Sequence, residues 1–386
     1  MKRNFKSVSW MVAALPLVTG ATVLAKDTKS TKEMTTAPMK ADTQRVEANA
    51  QMQKVLDAHK ALNPKPPHTV TPEVARKGPS ARDAVTAVLK QENKPTEPEK
   101  VAKVDDRKIP GPKGDIPIRV YTPEGTGPFP VLVYYHGGGF VLADLDTYDA
   151  SPRALARQAN AVVVSVHYRQ APENPFPAAS DDAVAAFTYV QKNAAEFNGD
   201  PKRVAVGGES AGGNLATEVA LRTKKSGVAP VFQLLVYPFV SNDLSTPSHM
   251  ANGTGSFFVG NSDLAWFWQK YLGEDWKNSK NAEALPIYAT TAQLRGVAPA
   301  MIITAGLDPL QDEGMAYARK LQAAGVKTEL KNYEGVTHEF FGMAAVVDTA
   351  RQAQADAATA LKNAFSHTSA VGGSGSDMTK GIDQMK

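Results

Sequence analysis

A series of short, near-continuous apolar runs constrains this chain more than any other feature: Val131–Tyr135, Ala161–Val166, Val204–Val206, Phe232–Tyr237 and Ala300–Thr304. Runs of this length without polar alternation suit strands buried on both faces, as the central strands of a parallel sheet are. Helical apolar spacings separate them, at 179–195, 211–225, 262–272, 311–324 and 349–365. Ile116–Tyr121 alternates instead, as a half-buried strand does, and a further strand is expected over 326–333. This succession predicts an α/β fold, a mostly parallel sheet flanked by helices, within residues 101–365. With 42% apolar residues in 386, such a domain has ample material for its core.

The chain ahead of residue 101 reads differently. Lys2, Arg3 and Lys6 precede an apolar stretch from Val8 to Leu24, broken by Pro16 and Gly20, and Val23-Leu24-Ala25 offers small residues before polar Lys26. This is the pattern of a secretory signal peptide over 1–25. The stretch falls short of the ~20 apolar residues of a membrane span, so cleavage is favoured over an uncleaved anchor. The expected location is exported, periplasmic or secreted. Residues 26–42 are polar and lack aromatics, which suits a disordered linker. Helical spacing returns at Val46, Met52, Val55, Leu56 and Leu62 and stops at the prolines 64, 66 and 67. Thr71-Pro72-Glu73 is a helix-start signal, and Ser80 to Gln91 is read as a third helix. From Ser366 onward, few apolar residues and the run Gly372–Ser376 predict a flexible tail over 366–386.

Composition excludes several classes of function. The net charge is +4, and Lys2, Arg3 and Lys6 account for most of it, so the body is near neutral and has no basic block. Nothing there calls for nucleic acid or an anionic membrane. The chain has no cysteine, which removes disulfides, thiolate nucleophiles and thiolate metal sites.

Chemistry is concentrated in three places. Gly208-Glu209-Ser210-Ala211-Gly212 lies between the run Val204–Val206 and a helical spacing. A serine on so tight a strand-to-helix turn is thrust outward, side chains at 208 and 212 would strike neighbouring backbone, and the following helix directs its positive end at the site. His136-Gly137-Gly138-Gly139-Phe140 follows the strand Val131–Tyr135. Its glycines let backbone N–H groups approach a ligand, and with the N–H of Ala211 those of Gly137, Gly138 and Gly139 would make an oxyanion hole. His338 stands after the last expected strand, and it is the histidine with a suitable acid between itself and Ser210. That acid is Asp308, just beyond Ala300–Thr304, favoured over Asp312 and Glu313, which suit the first turn of the next helix. His338-Glu339 opens like a zinc motif, but no second histidine follows, and no other metal spacing occurs.

Assembled, these residues resemble the hormone-sensitive-lipase-like family of α/β-hydrolases, in its bacterial esterase branch. The resemblance runs from about Thr43 to Phe365 and rests on His136–Gly139, Gly208–Asn214, Asp308-Pro309-Leu310 and His338, with Tyr168–Glu173, Phe176–Ala179 and Asp181-Asp182 as a structural loop. It implies an eight-stranded sheet and a helical cap, built from residues 43–100 and a segment near 242–275. In that segment Phe257, Phe258, Trp266, Phe267 and Trp268, with Phe140 from the glycine loop, either line an acyl or alcohol pocket or pack the core. Three residues depart from the family pattern: Glu209 where Asp is more frequent, Tyr148 where His is frequent, and Glu339 where Gly is usual.

The function implied is hydrolysis of a small-molecule carboxylic ester with short to medium acyl chain by a Ser210–His338–Asp308 triad, without cofactor or metal. Amides, carbamates or longer lipids on the same triad are the alternative. A non-catalytic binding protein is a further one, against which the retained His338 argues.

Overall fold

Eight strands form a single sheet in the order β1-β2-β4-β3-β5-β6-β7-β8. A computed structural model describes residues 47–371, with side chains placed through residue 366. The stretches expected to be a signal peptide (1–25) and a linker (26–42), Val46 of the first helical spacing, and the glycine-rich end beyond 371 lie outside the described residues.

Three α-helices come first among the described residues. α1 (Ala50–Ala61) is capped by Asn49, whose side chain accepts the Met52 N–H. α2 (Pro72–Ala75) has Thr71 as its cap and Pro72 in its first turn, and α3 (Ala81–Gln91) opens with a reciprocal Ser80–Asp83 capping box. These caps satisfy N–H groups that have no partner within a helix; those of Thr71 and Ser80 fall where the sequence placed helix starts, whereas Asn49 starts α1 later than the spacing from Val46 suggests. A hairpin of β1 (Lys103–Gly111) and β2 (Gly114–Thr122) follows, antiparallel, and β2 runs antiparallel to β4 (Val162–Val166). β3 (Phe129–Tyr135), β4, β5 (Gly199–Glu209), β6 (Gln233–Val236), β7 (Ala300–Leu307) and β8 (Thr328–Thr337) run parallel to one another.

The crossovers cover both faces. Val131, Val133 and Tyr135 of β3 join one core cluster, while Leu132 and Tyr134 join the other. Such period-two division makes both faces apolar, hence the unbroken runs. On the first face lie α5 (Ala178–Lys192), α6 (Ala211–Thr223) and α10 (Gln311–Ala323), through Phe187, Leu215 and Leu321 among others. On the second lie α4 (Ala150–Ala159) and α11 (Asp348–Val371), through Leu155, Ala357 and Leu361, together with Met52, Val55 and Val88 of α1 and α3. The shorter α7 (Pro247–Asn252), α8 (Asn261–Leu272) and α9 (Thr291–Leu294) fall between β6 and β7.

Some expectations are corrected. The helix over 349–365 does not give way to a tail at Ser366 but continues to Val371. Ser366 returns its hydroxyl to the Lys362 carbonyl, and the first helix breakers are Gly372 and Gly373, so the polar residues before them stay helical. β1 carries no apolar run because it is the sheet's edge, where charged side chains face solvent. His249 sits buried in α7, within a segment whose polarity reads as loop.

The N-terminal helices are fastened at several points. The Asn49 N–H donates to the Gly335 carbonyl at 2.8 Å, and the Gln51 amide donates to Asp348 at 2.9 Å. His59 packs on the Phe258 ring at 4.5 Å, His68 Nδ1 meets Asp263 of α8 at 2.6 Å, and Arg76 donates from Nε to the Val141 carbonyl at 2.8 Å. They therefore touch β8, the 253–263 segment and the glycine loop.

Candidate active site

Ser210, the glycine loop, Asp308 and His338 all stand immediately after the carboxyl ends of parallel strands, β5, β3, β7 and β8. Open α/β sheets present their ligand crevices at that edge.

Ser210 has φ 55° and ψ −118°, a strained conformation for a residue with a Cβ. Its backbone is held on both sides: the N–H donates to Val236 at 2.9 Å, and the carbonyl accepts from Phe239 at 3.1 Å. The turn is possible because a Cβ on Gly212 would lie 1.9 Å from the Tyr135 carbonyl oxygen, and one on Gly208 would lie 2.5 Å from both that oxygen and the Gly212 carbonyl. Strand β3 and helix α6 thus approach to glycine distance, and the serine is extruded between them.

His338 Nε2 lies 3.0 Å from Ser210 Oγ, and His338 Nδ1 lies 2.7 Å from Asp308 Oδ2. The other Asp308 oxygen accepts the Leu310 N–H at 2.8 Å. With Nδ1–H directed at a carboxylate, Nε2 is left as the acceptor for the serine proton. All three side chains are buried. Burial alone would depress the His338 pKa, but Asp308, then Glu339 and Glu209, outweigh it and hold the imidazole above its ordinary value. Asp312 takes no part: its Oδ2 accepts the Ser248 N–H at 2.8 Å. Glu313 is buried rather than poised at a solvent-facing helix start, and accepts the Val240 and Ser241 N–H groups at 2.6 and 3.1 Å.

The glycine loop is held from behind by its carbonyls. Tyr168 Oη donates to His136 and Gly137 at 2.9 and 3.2 Å, Gln170 Nε2 donates to Leu142 and Ala143 at 2.8 and 2.9 Å, and the Ala171 N–H donates to Phe140 at 2.9 Å. Arg169 is fixed in turn by both oxygens of Asp182. The Tyr168–Glu173 run therefore braces the loop, as expected of a structural segment. Gly138 and Gly139 have φ 96° and 59°, the left-handed region that glycine enters without a steric cost. Among the described residues, no acceptor takes the N–H groups of Gly138, Gly139 or Ala211. The last is free because it opens α6.

The aromatic residues divide. Phe140 is fully buried and stacks on Tyr271 at 3.8 Å, so it packs the core rather than a pocket wall. Trp268 is likewise core, its indole N–H donating to the Ser241 carbonyl at 3.0 Å. Trp266 belongs to the same cluster and meets Phe267 edge-on. Phe257 and Phe258 are half-buried and pack with the cluster containing α1 and α3. Phe267 comes nearest the oxyanion loop, since a Cβ on Gly139 would fall 2.2 Å from its ring.

Sequence reasoning did not foresee a cluster of acids and phenols beside the triad. Glu209 is buried and accepts hydrogen bonds from Tyr134 and Tyr237, while burial, aided by the charge of Glu339, pushes its pKa up to about 7. Glu339 accepts from Tyr148 Oη at 2.6 and 2.7 Å on its two oxygens, and Tyr237 packs on His338 at 4.6 Å between ring centres. The signal was available: two tyrosines beside a buried acid are what a satisfied carboxylate needs. Strands β3 and β6 had to be aligned before they could be paired with it.

No group of three or more His, Cys, Asp or Glu side chains among the described residues is arranged for a metal. No described helix is long and apolar enough to cross a membrane. A surface cleft of about 400 Å³ is lined by Arg82, Arg119, Arg153 and four aspartates, but the triad does not border it.

Strand order and the strand–turn–helix elbow define an α/β-hydrolase fold, with Asp308, His338 and Ser210 hydrogen-bonded in line at its strand ends. The profile of the alpha/beta hydrolase fold family matches residues 132–342, and the chain belongs to this family, in its hormone-sensitive-lipase-like division. The carboxylic ester hydrolase LipN of Mycobacterium tuberculosis is 44% identical over 246 residues, 62% of this chain and 65% of LipN. The carboxylesterase NlhH of the same species is 45% identical over 258 residues, 65% of this chain and 79% of NlhH. The chain thus spans just under two thirds of the length of LipN. An ester-hydrolase from the metagenome of Lake Arreo, solved with a bipyridine phosphonate derivative, superposes with a TM-score of 0.73 at 36% identity, covering 83% of this chain and 99% of that one.

Proposed function

We propose that this chain is a carboxylesterase that cleaves short- to medium-chain acyl esters through an acyl-Ser210 intermediate. The observation that carries the reading is the continuous line from Asp308 through His338 to a strained, extruded Ser210 Oγ. His338 Nε2 takes the serine proton as Oγ attacks the ester carbonyl. Asp308 orients the ring and stabilises the imidazolium. The N–H groups of Gly138, Gly139 and Ala211, with that of Gly137 beside them, receive the oxyanion. His338 then protonates the leaving alcohol, and water attacks the acyl-enzyme. No step requires a metal or cofactor.

The relatives' names support the ester class. The helices α1–α3 and the 242–275 segment act as the cap, a reading supported by their contacts with the glycine loop and with the strand that carries His338. Export to the periplasm or medium is part of the same proposal, supported by the charged and then apolar start of the sequence. The mature N-terminus of secreted material, read by mass spectrometry, tests it.

A serine-directed organophosphate tests the mechanism. It should add once, at Ser210, and abolish ester hydrolysis, while Ser210→Ala should fold normally and lose nearly all activity. Label on another serine, with the variant still active, would remove the assignment.

A further inference from the structure

We infer that Glu339 positions the water that releases the acyl group, and so acts in the second half of the reaction rather than the first. The inference rests on the acyl-enzyme mechanism proposed above and assigns a part in it to a residue outside the triad.

Glu339 Oε1 stands 4.0 Å from His338 Nε2. That is too long for a direct hydrogen bond and suits one water touching both, at about 2.8 Å from each. Nε2 is the nitrogen that faces Ser210 Oγ, so a water placed there borders the acyl carbon. The carboxylate is fixed: Tyr148 Oη donates to both its oxygens, and Tyr148 itself is wedged against the glycine loop, its Oη 2.2 Å from where a Cβ on Gly137 would lie. A phenol has a single proton to share, so acceptor capacity remains on both oxygens. The side chain is part-exposed, at 22%, and water can reach it.

The backbone supplies independent support. Glu339 has φ 70°, in the left-handed region that costs a residue with a Cβ and costs glycine little. Glycine is usual here in the family that the sequence resembles. A glutamate held in a conformation better suited to glycine, with its carboxylate pinned beside the triad, is explained by work that the side chain does.

The step balances simply. The water gives one proton to His338 Nε2 as its oxygen bonds to the acyl carbon, while Glu339 accepts the other O–H as a hydrogen bond and keeps no proton. The imidazolium then returns that proton to Ser210 Oγ as the acyl–oxygen bond breaks, and the carboxylic acid leaves. In acylation the departing alcohol occupies the water's place, so Glu339 contributes little to that half.

The test uses the full-length enzyme with p-nitrophenyl butyrate on the alkaline plateau of its pH profile. Glu339→Gln keeps an acceptor for Tyr148 and removes the charge; Glu339→Gly relieves the backbone and removes the side chain, so at least one should fold as the parent does. Two quantities are read: kcat/KM, which reports acylation, and the decay of acyl-enzyme, followed by quenching and intact mass. Acyl-enzyme decay should slow roughly tenfold, the worth of one lost hydrogen bond, with kcat and KM falling together and kcat/KM within about twofold of the parent. A change in protein stability alone would not separate the two halves in this way. Equal losses in kcat/KM and in decay, or parental decay in both variants, would overturn the inference and leave the triad intact. Failure of the parent enzyme to form any acyl-enzyme would overturn the mechanism as well.

Discussion

At the scale of single residues, His338 is where opposing influences meet. Its burial disfavours the imidazolium, while the carboxylates of Asp308, Glu339 and Glu209 favour it and prevail. A raised pKa means that the protonated form, which cannot accept the serine proton, persists to higher pH. Activity should therefore fall with decreasing pH through a midpoint above the ordinary histidine value of ~6.5. Glu339→Gln removes one of the favouring charges and should move that midpoint down. A kcat/KM profile of parent and variant checks both statements, and a midpoint below 6 in the parent would contradict the observed arrangement of acids. The glycines around Ser210 belong to this scale too. Gly212 is compulsory because the Tyr135 carbonyl occupies the place of its Cβ, not because helix α6 prefers it.

Elements were legible in the sequence in proportion to how completely one local rule decided them. The central strands were legible because burial on both faces leaves no polar residue to interrupt them, and the helix expected from Ser80 starts there, on a capping box with Asp83 that the structure shows. The residues of the hydrogen-bonded line Asp308–His338–Ser210 could be picked out because each follows a strand end. β1 and α4 were missed for the opposite reason. β1 is a charged edge strand fixed by its pairing with β2, and α4 begins Ala150-Ser151-Pro152 after an aspartate, a pattern that also suits a turn. The aromatic pocket was only partly legible, since a strip such as Trp266-Phe267-Trp268 turns its members in different directions on a helix. Only the fold shows that Phe267 is the one against Gly139. The N-terminal helices carry a prediction at this scale. Met52, Val55, Leu56, Val85, Val88 and Leu89 are buried, and each is worth about 1.5–3 kcal/mol, which together rivals the ~5–15 kcal/mol of a typical domain's stability. Deleting residues 26–42 should change little. Deleting up to Gln91 should abolish activity or cooperative unfolding, as thermal denaturation and an ester assay would reveal; a fully active shorter chain would show that these helices are not part of the cap.

For the molecule as a whole, the proposed cap implies that sheet, glycine loop and N-terminal helices together set the depth available to a substrate. Each added CH₂ gains about 0.8 kcal/mol while it fits, and crowding costs more once it does not. Rates on p-nitrophenyl esters should climb over the first carbons, peak at short acyl chains and fall for long ones. A preference for emulsified long-chain triglycerides would instead indicate an open, lipase-like site. The fastening of Asn49 to Thr349, 300 residues apart in sequence, has a consequence for biosynthesis. On a chain leaving the ribosome, His338 appears 128 residues after Ser210. α1 waits longer still, for β8 and α11 to complete its seat. Until then its apolar face has only α3 to pack against and invites association with other nascent chains. The proposed site can thus be completed only once most of the chain has been made, and α1, the first helix among the described residues, is among the last to find its full seat.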